Sequence, residues 1–335
     1  MAYDYRFIMT KTPLRITFTG GGTDIPAYYK KYGKGAVVSS AINKYIYVNL
    51  KKNFFSDEIR ISYSRVENSV KSIDEIIHPT IRESLRLLDI KPGIEIVSIA
   101  DVPSRGTGLG SSSSFLVGLL NALHAWRGEP VGPEQLAEEA VKIEREILKE
   151  PGGKQDQYIS AYGGIQLMEF FDNEEVSIKP VHLTTEEKLA LNNHLLLLFT
   201  GRERDSTAIH KEQEKNLNDK IENYNKMRDL AYKTYDLLNN GKWMKLGEML
   251  NENWGLKREL SDNITDKKID DWYQKALRAG AAGGKLIGAG GGGFLLFFAK
   301  PIYHKRIKRV LNELKEEKFR FETFGSRIIY MEKSL

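Results

Sequence analysis

The most constraining feature of this sequence is the placement of its glycines. The chain carries 29 glycines but only 10 prolines, and the glycines concentrate in four clusters at Gly20–Gly22, Gly106–Gly110, Gly152–Gly153 and Gly288–Gly293. Glycine lets the backbone turn tightly and approach a ligand closely. The clusters therefore predict tight loops with a structural or ligand-binding task.

The composition limits the class of protein. With 335 residues, of which 41% are hydrophobic and 28% charged, the chain is typical of globular proteins with one large or two ordinary domains. The net charge of +5 suits an anionic small ligand and gives little support for nucleic-acid binding. The absence of cysteine excludes disulfides and thiolate metal sites. No run approaches the roughly 18 apolar residues of a membrane span and no signal peptide is recognisable, so we expect a cytoplasmic protein without a nucleic-acid or membrane partner.

The hydrophobic pattern divides the chain into two parts. Short β-rich runs and two helical segments fill the first half, whereas residues 205–262 are charged, helical and almost free of glycine and proline. The change in composition near residues 191–200 predicts an N-terminal domain at 1–195 and a C-terminal domain at 196–335.

Two familiar nucleotide-binding motifs are excluded. No Gly-Lys pair is followed by the Ser or Thr that a P-loop requires. The dinucleotide-binding pattern is matched at Gly288-x-Gly290-x-x-Gly293, but that motif requires a helix to follow, and Phe294–Ala299 reads as a buried strand.

A phosphate-binding loop is predicted at residues 101–115. A strand pattern at Ile94–Ile99 leads into alternate glycines, four serines and an apolar helix from Phe115. A helix N-terminus binds phosphate through its N–H groups and its positive dipole end, and serine hydroxyls can ligate the Mg²⁺ that accompanies ATP. The alternative is a serine-rich helix cap after an ordinary glycine turn.

Two carboxylates carry a further chemical signal. In the helix predicted over Pro133–Lys149, Glu144 projects from the same apolar stripe as Ile147. A buried carboxylate requires a cation or strong donors, so Glu144 is either a functional group or the partner of a structural arginine. Asp156 follows the Gly152–Gly153 turn, which can present its carboxylate in a cleft; the alternative is an aspartate that only stabilises its own turn.

The first glycine cluster follows a strand and carries polar side chains at its tip. Arg15 lies in the strand pattern, and Thr23 and Asp24 come directly after Gly20–Gly22. Hydroxyl and carboxylate side chains bind hydroxyl groups well, which suits a polyol substrate. A hairpin or bulge turn is the alternative.

Three motifs in this order resemble those of the GHMP kinases, the family of galactokinase, homoserine kinase, mevalonate kinase and phosphomevalonate kinase. They are Pro13-Leu-Arg15…Gly20-Gly-Gly-Thr-Asp24, Pro103-x-x-x-Thr-Gly-Leu-Gly-Ser-Ser and Gly288-Ala-Gly-Gly-Gly-Gly293. The resemblance extends from about Thr12 to Ala299. Within the family, the strings at Lys142–Glu146 and Lys154–Tyr158 resemble those of the D-glycero-D-manno-heptose 7-phosphate kinases. The galactokinase Glu-His pair is missing from the first motif, which argues against galactose.

The resemblance implies an α+β, two-domain GHMP kinase fold, with a ribosomal S5 domain 2-like N-terminal domain and a ferredoxin-like α+β C-terminal domain. It implies an enzyme that uses ATP and Mg²⁺ to phosphorylate the anomeric hydroxyl of a sugar or sugar phosphate, foremost D-glycero-D-manno-heptose 7-phosphate. A homodimer is left open.

The resemblance also implies a role for each matched residue. The residues expected to bind ATP are Gly106, Gly108, Leu109, Gly110, Ser111, Ser112 and Ser113. Ser112 and Glu144 would ligate Mg²⁺. Asp156 would act as the base or as an electrostatic stabiliser of the attacking hydroxyl, with Arg15 beside it. The residues expected to bind the sugar or its phosphate are Gly22, Thr23, Asp24, Arg202 and Arg204. Gly290 and Gly291 would line the cleft.

The same residues leave other functions open. The runner-up is another GHMP small-molecule kinase: a fucose-type, uronate or N-acetylhexosamine 1-kinase, or an isoprenoid-pathway kinase. Decarboxylases of the mevalonate branch share the fold, and members without catalysis serve as sugar sensors. The presence of Ser112, Glu144 and Asp156 together argues against a pure sensor.

Overall fold

Two β-sheets organise this protein, described here from a computed structural model that covers residues 5–102, 106–202 and 206–334. The strands in these residues are β1 (Tyr5–Thr19), β2 (Lys34–Lys52), β3 (Ile59–Ser62), β4 (Val66–Val70), β5 (Ile94–Ala100), β6 (Ile165–Phe171), β7 (Val176–Pro180), β8 (Leu195–Phe199), β9 (Ala281–Leu286), β10 (Phe294–Ala299), β11 (Lys315–Glu316) and β12 (Arg327–Lys333).

Helices cover the faces of both sheets. The α-helices in the described residues are α1 (Pro26–Tyr32), α2 (Pro79–Leu87), α3 (Ser111–Trp126), α4 (Pro133–Val141), α5 (Gln155–Tyr162), α6 (Thr185–Asn193), α7 (Ser206–Lys215), α8 (Ile221–Asn239), α9 (Leu246–Arg258), α10 (Lys267–Arg278) and α11 (Pro301–Val310). A π-helix follows α4 at Lys142–Ile147, and short 3₁₀ turns lie at Ile73–Glu75 and Trp243–Lys245. No helix in the described ranges is long and apolar enough to cross a lipid bilayer.

The long strand β2 organises the first sheet, whose order is β12-β1-β2-β5-β3-β4 with β6 and β7 attached. One edge of β2 pairs with β1 along most of its length. Its other edge pairs with β6 over Lys34–Ser40 and with β5 over Ile46–Lys52. The sequence predicts two separate strands here, at Ala36–Ser40 and Tyr45–Leu50. The structure joins them into one strand because two different partners continue the ladder.

The second sheet has the order β11-β8-β10-β9, and all its neighbouring strands are antiparallel. Every residue of β10 is buried, and α9 packs against β9 and β10. This confirms the strand predicted directly after Gly288–Gly293, and with it the rejection of the dinucleotide-binding motif.

The sheets divide near the predicted boundary, with one exception. β8 begins at Leu195 and belongs to the second sheet, but β12 returns to the first sheet and pairs antiparallel with Tyr5–Lys11 of β1. The domain limits at 195 and 196 stay a prediction. The first sheet is thus built from both ends of the described chain.

Candidate active site

The glycine-rich loop leads into α3, which begins earlier than predicted. The helix starts at Ser111 rather than near Phe115, so the serines form its first turn. Gly110 caps the helix in the left-handed conformation, with φ +76°, and a Cβ there would lie 3.2 Å from Oδ2 of Asp156. Only glycine tolerates this conformation and this contact without strain. The positive end of α3 is therefore open to a ligand.

A groove of about 1110 Å³ runs past this loop. The predicted loop residues that line it are Gly106, Gly108, Gly110, Ser111, Ser112 and Ser113. Leu109 differs, because its side chain is fully buried while its carbonyl accepts the N–H of Arg15 at 3.0 Å. The groove is also lined by Tyr63, His78 and Phe115, whose rings lie against one another with centroid distances of 4.7 and 5.6 Å.

Glu144 lies in the groove wall on the π-helix. The sequence predicts a continuous α-helix over Pro133–Lys149, which is wrong beyond Val141, where the π-helix begins. The wider turn changes which side chains face inwards, so Ile147 is 42% exposed whereas Glu144 is 1% exposed. Such π-turns are frequent at functional sites.

The Glu144 carboxylate is surrounded by donors. It accepts hydrogen bonds from Ser112 Oγ at 3.2 Å, from Ser113 Oγ at 2.8 Å and from the Gln157 amide, and Arg145 lies 3.9 Å away. Ser112 is exposed to the groove. A hydroxyl and a carboxylate oxygen therefore stand together where a ligand can reach them.

This pair of oxygens fits Mg²⁺. The ion prefers oxygen ligands and is commonly held by one or two carboxylates together with substrate phosphates. Within the described residues, no group of three or more His, Cys, Asp or Glu side chains could hold a metal ion without such help. The donor set thus suits an ion that arrives with a phosphate ligand.

An arginine and an aspartate meet at the inner end of the groove. Arg15 on β1 donates from Nε and Nη2 to the two carboxylate oxygens of Asp156, both at 2.7 Å, and its Nη1 donates to the Gly108 carbonyl. Asp156 lies in the first turn of α5 and keeps 22% of its side chain exposed. The bidentate pair fixes the carboxylate in one orientation while leaving part of it accessible.

A small cavity of about 80 Å³ adjoins the groove at this pair. The residues that line both spaces are Arg15, Arg145, Asp156, His210, Gly288 and Ala289. A ligand in the cavity and a ligand in the groove would therefore meet beside Arg15 and Asp156.

The first glycine cluster forms one wall of the cavity. Gly22 lines it and donates its N–H to Asp24 Oδ1 at 2.9 Å, and the N–H of Gln155 donates to the other oxygen at 3.1 Å. Burial, opposed by these backbone hydrogen bonds, raises the pKa of Asp24. A side chain at Gly153 would collide with this carboxylate, so the Gly152–Gly153 turn can pack against Asp24 only with glycine at position 153.

Thr23 has a different environment. Its side chain is fully buried, and its hydroxyl donates to the carbonyls of Gly20 and Ala36 and accepts the N–H of Ala36. The hydroxyl therefore fixes the turn and does not line the cavity.

Gln155 is a cavity residue that the sequence analysis did not single out. Its Oε1 accepts hydrogen bonds from Thr17 Oγ1 at 2.6 Å and Ser39 Oγ at 2.9 Å. Two hydroxyl donors fix the orientation of the amide, so its Nε2 faces Asp24 and the cavity. This gives the cavity an oriented hydrogen-bond donor.

The remaining predicted residues are spread more widely. Arg202 forms an ion pair with Asp266 at 2.6 Å and does not line the cavity or the groove, while Arg204 lies outside the described residues. Gly290 lines the groove, and the N–H of Gly291 donates to the Ile264 carbonyl at 2.8 Å.

Four basic residues of the site were missed by the sequence analysis: Arg145, His210, Lys257 and Lys285. Burial, aided by the positive charges of Arg145 and Lys257, lowers the pKa of His210 to about 4. One signal was available, because Lys257 falls on the buried face of α9 with Leu246 and Leu250.

Comparisons with known proteins place this geometry in a family. Residues 70–164 match the GHMP kinases N terminal domain and residues 234–319 match the GHMP kinases C terminal domain. A D-glycero-alpha-D-manno-heptose 7-phosphate kinase from Campylobacter jejuni is 32% identical over 88% of this chain and 90% of its own length. An L-fucokinase/L-fucose-1-P guanylyltransferase from Bacteroides fragilis is 25% identical over 93% of this chain, which spans 36% of that longer protein.

A solved structure supports the same assignment. The crystal structure of a D-glycero-D-manno-heptose 1-phosphate kinase from Bacteroides thetaiotaomicron superposes with a TM-score of 0.81, covers 96% of this chain and 99% of its own, and is 27% identical. The two-domain α+β fold expected from the sequence motifs is confirmed by these matches. The chain belongs to the GHMP kinase family.

Proposed function

We propose that this protein transfers the γ-phosphate of ATP to the anomeric hydroxyl of a sugar phosphate, with D-glycero-D-manno-heptose 7-phosphate as the acceptor. The observation that carries the proposal is the Arg15–Asp156 pair at the junction of a large groove and a small polar cavity. Phosphoryl transfer depends mainly on positioning and charge neutralisation. A junction of this kind supports the meeting of two substrates.

ATP occupies the groove in this proposal. The N–H groups of the loop from Gly106 to Ser113 and the positive end of α3 bind the phosphates. The nucleobase lies against Tyr63, His78 and Phe115, whose rings offer an apolar surface. Ser112 and Glu144 hold Mg²⁺, which neutralises phosphate charge when it is bound.

Asp156 and Arg15 act on the acceptor hydroxyl. Asp156 accepts its proton or stabilises it electrostatically, and Arg15 holds the carboxylate in place while adding positive charge near the transferred group. The remaining hydroxyls of the sugar contact Asp24, the Gly22 turn and the Gln155 amide, all of which line the cavity. The relative from Campylobacter jejuni supports a phosphorylated heptose as the acceptor.

The test is an assay of ADP release with ATP and Mg²⁺ across a panel of acceptors: the heptose 7-phosphate, the same heptose without phosphate, L-fucose, galactose and mevalonate. We expect release to depend on an added sugar and to be fastest with the phosphorylated heptose, and ³¹P NMR to find the new phosphate at the anomeric carbon. Turnover with mevalonate alone, or release that does not depend on any acceptor, would contradict the proposal.

A further inference from the structure

Two lysines from the second half of the chain line the small cavity. Lys257 on α9 is 6% exposed and Lys285 on β9 is 2% exposed, and both line the cavity. The ammonium group of Lys257 donates to the Gly288 carbonyl, and that of Lys285 donates to the Phe18 carbonyl at 3.0 Å. An ammonium group carries three donors and a full charge. A single neutral carbonyl accepts only one of the three hydrogen bonds and does not balance the charge.

The carboxylates of the cavity form no ion pair with these lysines. The charged side chains that line it are those of Arg15, Arg145, Lys257, Lys285, Asp24 and Asp156. Asp156 is engaged by Arg15 in the bidentate pair. Asp24 accepts backbone N–H groups, and within the described residues no carboxylate lies within ion-pair distance of either lysine.

The pKa values of both ammonium groups are lowered by this environment. Burial and the positive charge of Arg15, opposed in part by the negative charge of Asp24, lower the pKa of Lys257 to about 8. Burial, with Lys257 and Arg15 nearby, lowers the pKa of Lys285 far below its ordinary value. A buried charge without a partner destabilises a fold, and a bound anion removes that cost.

We propose that Lys257 and Lys285 bind the phosphate that the acceptor sugar already carries. The proposal rests on the proposed function, in which the acceptor is a sugar phosphate. A phosphate ester supplies the two negative charges and the acceptor oxygens that the cavity lacks. Both lysines line the cavity and not the groove, and Gly288, whose carbonyl accepts the Lys257 ammonium group, lies where the two spaces adjoin.

Arg202, one of the two arginines that the sequence analysis expects for this task, is differently placed, while the other, Arg204, lies outside the described residues. The guanidinium group of Arg202 is already paired with Asp266, and Arg202 lines neither the cavity nor the groove. Unlike Arg202, both lysines are buried and line the cavity.

The test measures kcat and KM for the wild type, Lys257→Met, Lys285→Met and Lys285→Gln with two acceptors, the phosphorylated heptose and the same heptose without phosphate. Losing one charge-assisted contact should raise the KM for the phosphorylated heptose by about 10- to 100-fold. The KM for ATP and the kcat/KM for the uncharged heptose should stay within about threefold of the wild type, since no group on either ligand meets the lysines.

Lys275→Met is the matched control, because Lys275 on α10 is only partly buried, lines neither the cavity nor the groove, and pairs with Asp271. This variant should keep every kinetic constant. The melting temperatures of the three test variants should not fall below that of the wild type, since each removes a buried charge.

Each of the following outcomes would overturn the inference. A raised KM for ATP would assign the lysines to the nucleotide phosphates. An equal loss with both heptoses, or a lowered melting temperature, would make them structural residues. If the wild type prefers the uncharged heptose, the inferred phosphate site is refuted but the sugar kinase activity is not. If the wild type phosphorylates no sugar, the proposed function and the inference are both refuted.

Discussion

The groove and the cavity recognise their ligands in different ways. The groove is large, and its central part presents backbone and small hydroxyl groups from Gly106 to Ser113. The cavity is small and presents fixed side chains, among them Asp24, Gln155 and two buried lysines. Backbone donors suit a ligand shared by many enzymes, whereas a set of side chains held by their neighbours suits one acceptor. The comparison teaches that selectivity in this molecule is concentrated on the cavity side of the Arg15–Asp156 pair.

The largest expected effect comes from the carboxylate at the boundary. Asp156→Asn keeps the shape of the side chain and removes its charge, so we expect turnover to fall by about 10²-fold or more, the range of a lost general base. ATP should still bind, because in the proposed function its phosphates are held by the loop from Gly106 to Ser113 and the positive end of α3. Steady-state kinetics and calorimetric titration of ATP measure the two effects.

Asp172→Asn, at an exposed aspartate, is the control for this change and should leave turnover unaltered. Near-normal turnover in Asp156→Asn would show that Asp156 takes no part in the reaction. Lost ATP binding would show that Asp156 also contributes to the ATP site in the groove.

The next effect concerns stability on the cavity side. The folded-state pKa of Lys257 lies below its ordinary value, so the folded protein releases this proton first as the pH rises. The unfolded chain therefore binds more protons between about pH 8 and 10.5, and Lys257 makes the free energy of unfolding rise over that window. Below pH 8 Lys257 is charged in the folded protein, and the full free-energy cost of burying that charge is present. Lys257→Met should therefore stabilise the ligand-free protein by up to roughly 3 kcal/mol at pH 7.

Urea unfolding of the wild type and Lys257→Met at pH 7 and pH 9.5 checks this prediction. The advantage of the variant should shrink at the higher pH, while Lys275→Met should show no such change. A constant difference between the two proteins would mean that Lys257 already has a partner in the cavity.

The groove side has its own prediction. Glu144→Gln keeps the hydrogen-bonding size of the side chain but removes the charge that Mg²⁺ needs, so the Mg²⁺ concentration for half-maximal activity should rise at least about 10-fold. The KM of the acceptor should not change, because Glu144 lines only the groove. An unchanged Mg²⁺ titration would make Glu144 a structural partner of its serines.

The smallest effect is expected at His210, which lines both spaces. Its lowered pKa, about 4, keeps it neutral above roughly pH 5, since burial and nearby cations oppose its protonation. His210→Gln should therefore leave the shape of the kcat/KM profile between pH 5.5 and 8 unchanged. An inflection present in the wild type and absent in the variant would show that His210 titrates in this range.

The parts of this site that depend on short stretches of sequence could be predicted. The glycine-serine loop and the strand after the last glycine cluster were predicted from short stretches, since a helix end and a buried strand are local features. Glu144 was predicted to be buried because it interrupts an apolar stripe, and it is 1% exposed. The π-helix around it was not predicted, because a period of 3.6 residues does not reveal an inserted residue.

The rest depends on contacts between distant segments. Lys285 meets the Phe18 carbonyl across 267 residues, so nothing near Lys285 in the sequence indicates a shared cavity. Thr23 is the converse case. A threonine hydroxyl suits a sugar ligand, but here the hydroxyl is hydrogen-bonded to the backbone of Gly20 and Ala36. Residue type suggests a chemistry, and only the fold decides which groups are left to perform it.

The return of β12 to β1 has a consequence for how the protein is made. The first residues of these paired strands, Tyr5 and Arg327, are 322 positions apart. At about 5–20 residues per second, a ribosome needs roughly 16–64 s to cover that distance. During that time, the outer edge of β1 has no strand to pair with, and an open edge invites pairing with other chains. Synthesis of the protein therefore includes a period in which a chaperone or a neighbouring chain can reach the strand that carries Arg15.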